Sequence, residues 1–172
     1  MAYIDDVIFP SSDIGTRWHK LLPRKFNVFI WRVARNRLPT RLNFSVRDME
    51  IVDIGCVVCD YNVEPLDHVL FGCSVATVLW RKLKRWVDLD DLQDYASWSE
   101  WINWFDTWQA SSTLKSKLYV IMASFHWHNW RYHNNILFGS PASWTSDSLP
   151  SSSNITDNIM VVVIPILNNS QA

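Results

Sequence analysis

All three cysteines of this chain fall within 18 residues, and one of its five histidines lies among them. Their order is Cys56-x2-Cys59-x8-His68-x4-Cys73. An odd cysteine count cannot close into a full disulfide framework, so the thiols need another partner. Structural zinc takes four thiolate or imidazole ligands in a tetrahedron. A Cys-x2-Cys step brings two thiolates to one ion from a tight turn, and Gly55 before the first cysteine suits that turn. Asp60, Asn62 and Pro65 reverse the chain, and the His68-x4-Cys73 step returns the other two ligands. Cys73 lies at the expected start of a helix, whose positive end favours a thiolate. With Cys56, Cys59, His68 and Cys73 all bound, no position is left for water, so the pattern predicts structural Zn2+ and not a hydrolytic centre. Two other readings compete. Three buried cysteines with a surface histidine would scatter through the chain, yet no cysteine lies outside the cluster. A redox pair at Cys56 and Cys59 lacks the strand-then-helix context such pairs need.

The metal matters for the fold because residues 48–73 carry little apolar surface and no helical period. Zinc binding in small sites supplies on the order of 10–16 kcal/mol, against about 5–15 kcal/mol for the stability of a whole domain. Elsewhere the chain is helical in pattern. Pro23 opens a helix with Phe26, Phe29, Ile30 and Val33 on one stripe. Arg24, Arg32 and Arg35 lie on the other side, beside Val28 and Trp31. Residues 36–40 end it ahead of Pro39, and Thr40 caps a shorter helix carrying Leu42 and Val46. A third helix spans about 74–86, with Val75, Val78, Leu79, Leu83 and Trp86 inward. A Trp-rich helix covers about 98–108, its aromatic stripe read as core. A long helix over about 113–138 is apolar on most of its circumference and should be the most buried. The predicted class is therefore mainly α: a small helical domain, an inserted C-x2-C-x8-H-x4-C zinc knuckle between the second and third helices, and a helical C-terminal extension. The expected divisions are a linker at 1–16, a zinc-binding domain at 17–86, a Trp-rich helical extension at 87–139 and a disordered or degenerate serine-rich tail at 140–172.

The formal net charge of −1 hides a separation of charge. Nine Lys or Arg and no acid lie between Arg17 and Arg47, whereas six acids and no base lie between Asp88 and Asp106. Arg24, Lys25, Arg32, Arg35, Arg37, Arg41 and Arg47 are candidates for phosphate contact, and Trp31 for stacking a base. The competing reading pairs this basic segment with the chain's own acidic one. The longest apolar-rich stretch is nine residues, against the roughly 20 a membrane span needs, and no signal peptide opens the chain. The expectation is an intracellular protein that is not secreted, with a nuclear location open, no membrane partner and no small-molecule substrate. Tyr3-Ile4-Asp5-Asp6 spells a polymerase tetrapeptide, but paired carboxylates work only from a hairpin with a further aspartate, and helices follow. His126 and His133 sit about 10.5 Å apart along a helix axis and His128 points elsewhere, so these histidines make no second metal site.

Trp31-Arg32, the run Asn36-Arg37-Leu38-Pro39-Thr40-Arg41-Leu42-Asn43, Arg47, the zinc spacing, His68-Val69-Leu70-Phe71-Gly72-Cys73 and Trp80 form one ordered set. It resembles the zinc-binding domain found downstream of the reverse transcriptase in plant LINE-type (non-LTR) retrotransposons, over about residues 16–86. The stretch to about Gly139 looks like the Trp-rich helical extension of such elements. The resemblance implies zinc binding and a role beside a reverse transcriptase on its RNA or DNA, without polymerase activity in this chain. The expected function is a zinc-stabilised, non-catalytic accessory module that binds nucleic acid. The alternatives are a module that docks on a reverse transcriptase domain, or a decayed fragment without selected activity.

Overall fold

The computed structural model describes residues 17–59 and 63–138. The expected linker with its Tyr3–Asp6 tetrapeptide, Asp60, Asn62 and the serine-rich tail lie outside the described residues. The described part is mainly helical and contains no strand.

Helix α1 (Arg24–Ala34) follows Pro23, whose φ of −53° already suits a helical start. Phe26, Phe29, Ile30 and Val33 are all buried, as their spacing predicts. Asn27 is buried beside them and ties the entering chain to the helix. It accepts from the His19 N–H at 2.9 Å and donates to the His19 and Leu22 carbonyls, both at 3.1 Å. The helix stops where Asn36 turns left-handed at φ 48°, a conformation asparagine tolerates better than most residues. Asn43 then pins the turn, donating to the Asn36 and Leu38 carbonyls at 3.1 and 2.9 Å.

Helix α2 (Arg41–Ser45) is capped by Thr40, which accepts from the Asn43 N–H at 3.2 Å. Asn43 is the buried residue of α2, and Val46 is exposed, because a helix this short is anchored by polar contacts and not by a stripe.

His68–Gly72 forms a π-helical turn, and helix α3 (Ser74–Val87) follows at once. The inward face of α3 is Ala76, Leu79 and Leu83, with Val78 and Trp86 exposed. Two anchors set this rotation against the expected one. Ala76 packs with Cys56 and Cys73, and Trp80 reaches the ring of Phe125 at 5.7 Å. The acidic connector after α3 is held by indole donors. Trp108 gives its N–H to Asp91 and Trp80 to Asp94, both at 2.9 Å.

Helix α4 (Trp98–Thr107) begins at Ser97, which accepts from the Glu100 N–H at 3.2 Å, while the Glu100 carboxylate accepts from Ala96 N–H at 2.8 Å. The first bond satisfies an amide that the helix start leaves open, and the second ties the preceding residue to the first turn. Trp98, Trp101, Phe105 and Trp108 are buried, so the Trp-rich stripe faces the protein's own core.

Helix α5 (Ser112–Phe138) is the spine. Every residue from 118 to 126 is buried, which requires neighbours on all sides. Phe26 and Phe29 of α1 meet Trp127 at 5.4 and 5.5 Å. Phe71 of the π turn meets His126 at 4.7 Å, and Trp101 of α4 stacks with Tyr119 at 6.1 Å. One core thus runs from Leu22 to Phe125, through both expected segments on either side of residue 86.

Candidate metal centre

The metal site forms where the loop after α2 meets the π turn. Asp53 accepts from the Gly55 N–H at 2.8 Å, and the Glu64 N–H donates to the Ile54 carbonyl at 2.8 Å. These bonds close the base of the loop that carries Cys56 and Cys59. Arg41 reaches in from α2 and donates to Asp53 at 3.1 Å and to the Gly55 carbonyl at 2.8 Å.

The spacing of the second ligand pair follows from backbone geometry. In the π turn, the Cys73 N–H donates to the His68 carbonyl at 2.7 Å. This i→i+5 bond brings residues five apart to one side of the turn, and His-x4-Cys is that separation. Gly72 sits against the ligand ring: a Cβ there would lie 3.4 Å from His68 Nδ1. On the other side of the ring, His68 Nε2 lies 3.2 Å from Cys59 Sγ. Cys73 is also the residue from which α3 starts.

One ligand atom from each of Cys56, Cys59, His68 and Cys73 can be chosen so that all lie within 4.8 Å of one another. An ion about 2.3 Å from each sulfur would set the sulfurs roughly 3.8 Å apart, so the cluster needs to contract by only about 1 Å. Cys56, His68 and Cys73 are buried, and Cys59 is half-buried. The cluster is suited to zinc.

Residues 9–80 match the family described as zinc-binding in reverse transcriptase. They contain all four ligands and, with the geometry above, form a zinc-binding domain associated with reverse transcriptase. The match stops inside α3, so α4 and α5 lie beyond it. No curated protein and no solved structure matches the chain.

Electrostatics within the zinc-binding domain set the protonation of each ligand differently. The Cys56 thiol bonds to Cys73 and is buried, which pushes Cys56 up to about 12. The same bond holds Cys73 below the ordinary thiol range, helped by the Val75 backbone at the start of α3. Burial lowers the pKa of His68, with His133 adding to the effect, so the ring stays neutral and free to coordinate. Zinc binding must then displace protons from the thiols and not from the imidazole.

The eight candidates for nucleic-acid contact divide. Arg24, Lys25, Val28, Trp31, Arg32 and Arg35 occupy one side of α1, opposite Phe26, Ile30 and Val33. Arg24, Lys25 and Arg32 are exposed there. The Arg35 guanidinium lies over the half-buried Trp31 ring at 5.1 Å. Arg47 is exposed beyond α2, and Arg37 is half-buried in the turn after α1. Arg41 does not join this face, because its guanidinium is committed to the metal loop. Two residues near the ligands escaped the sequence reading. Glu64 is buried, accepts from the Arg41 N–H at 3.2 Å and lies by Cys56. His133, weighed only as a ligand of a second ion, lies buried by Cys56 and Glu64. A lone glutamate in a loop gives no sequence signal of burial, and neither does a histidine 77 residues from the ligand it approaches.

Proposed function

We propose that this chain is a non-catalytic, zinc-stabilised accessory module of plant LINE-type retrotransposon origin, and that it contacts the phosphate backbone of RNA or DNA through the outer side of α1. Zinc orders the loop after α2 and so fixes α1, α3 and the turn between them as one surface. The module works inside the cell, where thiols stay reduced and available to the metal, beside a reverse transcriptase domain.

One observation carries the reading. Among the described residues, no ion pair joins Arg24, Lys25, Arg32 or Arg35 to an acid. The acidic stretch finds its partners elsewhere, Asp106 with Arg17 and Asp94 with Lys84. The competing idea, that the chain neutralises its own basic segment, therefore lacks its contacts. For the docking alternative, the Trp-rich stripe of α4 is spent on the core, which leaves the same basic side of α1 as its surface.

The test is titration of the zinc-loaded full chain with labelled single-stranded RNA at low and moderate salt. Three phosphate contacts give a slope of roughly −2 in log K against log salt, or about twentyfold between roughly 50 and 200 mM. Changing Arg24, Arg32 and Arg35 together to Ala should abolish most of that slope. Undiminished affinity in the triple variant, or salt-insensitive binding by the wild type, would reject the reading.

A further inference from the structure

His126, Asn129 and His133 are buried polar side chains of α5. Their i, i+3, i+7 spacing puts them on one face, and α5 packs against the π turn. Asn129 is fully buried; its Nδ2 donates to the Val69 carbonyl at 2.7 Å and reaches that of Leu70 at 3.4 Å. Both carbonyls belong to the turn that carries His68. One helical turn further, His133 Nδ1 donates to the Asn129 carbonyl at 3.0 Å, which fixes the ring. Its Nε2 is buried with no partner of full hydrogen-bond geometry, and the Cys56 thiol and Glu64 carboxylate lie beside the ring. A core-filling role does not explain this stripe, since leucines would fill the space without the cost of burying unpaired polar atoms. Metal ligands, in contrast, need outer partners that hold them in place.

We propose that α5 completes the metal centre from outside residues 9–80, with Asn129 holding the turn that presents His68 and His133 bracing Cys56. Both are positioning residues and neither is a ligand. The zinc-binding unit then extends to residue 133, and the helical extension is part of it. This inference rests on the four-ligand zinc reading.

The experiment uses the full chain as wild type, Asn129→Leu, His133→Leu, His133→Gln and Leu118→Ala. Leu118 is buried on the same helix, about 22 Å along its axis from His133. Zinc affinity is read by competition with a chromophoric chelator, and ligand geometry by the absorption of the Co2+-substituted protein. Both leucine variants at 129 and 133 should lose about 10–100-fold in affinity and shift the Co2+ bands. His133→Gln, which keeps a polar end, should recover most of the loss. Leu118→Ala should lower the melting temperature yet keep wild-type affinity and spectrum. Wild-type affinity and spectrum in both leucine variants would overturn the inference, as would an equal loss in Leu118→Ala. If the leucine variants do not fold, Asn129→Ser, too short to reach Val69, decides: a tenfold loss supports the inference and no loss overturns it. Failure of the wild type itself to bind metal would reject the zinc reading instead, a different and separable result.

Discussion

Replacing His126 by phenylalanine should make the protein more resistant to acid. The His126 side chain has no exposed surface and is ringed by Phe71, Trp98, Trp101 and Phe125. Neither ring nitrogen has a partner of hydrogen-bond geometry. Burial lowers its pKa to about 3, and the Leu70 backbone offsets this only in part. The sign follows from the reference state. The unfolded chain takes up a proton on this ring below about pH 6.5, whereas the folded chain refuses it until about pH 3. Stability is therefore lost as pH falls through 6.5, and the loss continues down to about 3. At about 1.4 kcal/mol per unit, the loss between pH 7.5 and 5.0 is about 2 kcal/mol. His126→Phe removes this linkage and also two buried unpaired nitrogens, so it should be neutral or stabilising at pH 7.5. Urea unfolding of both proteins at the two pH values gives the answer as a double difference, in which acid loss of zinc, common to both, cancels. Parallel pH dependence in wild type and variant would refute the reasoning.

Other outcomes follow from the same geometry. Cys56→Ser and Cys73→Ser should each abolish stoichiometric zinc binding, read by metal analysis of protein purified without added zinc. Titration calorimetry in buffers of different ionisation enthalpy should find about two to three protons released per zinc near pH 7, because the buried Cys56 thiol holds its proton up to about pH 12 while His68 carries none to lose. Trp101→Ala should cost about 3–5 kcal/mol in chemical unfolding, since the ring is fully buried and stacks with both Phe105 and Tyr119. Thr40→Ala should cost about 1 kcal/mol through loss of the α2 cap, and Thr40→Ser should restore it.

What could be read in advance depended on how local the physics was. The stripe of α1, the Thr40 cap and the span of the long helix follow from spacing alone, and all three appear in the structure. The ligand set was legible because sulfur is rare and its spacing is tied to tetrahedral coordination. The rotation of α3 was not, since Val78 and Trp86 are as apolar as Ala76 and Leu83; only the packing of Ala76 on the cysteines and of Trp80 on Phe125 decides between them. Arg41 reads as one more basic residue until the fold turns it toward Gly55. The burial of Glu64 and His133 depends on contacts between segments far apart in the chain, which no local pattern encodes.

The π-helical turn also constrains how this protein can change. A π turn is an α-helix holding one residue too many, so deleting any one of residues 69–72 would let the segment relax into regular helix with better-aligned bonds. The same deletion would swing His68 by about 100° relative to Cys73. A locally more comfortable backbone would then come with a broken coordination sphere, and single-residue indels at this point should be far less tolerated than in the loop that precedes it.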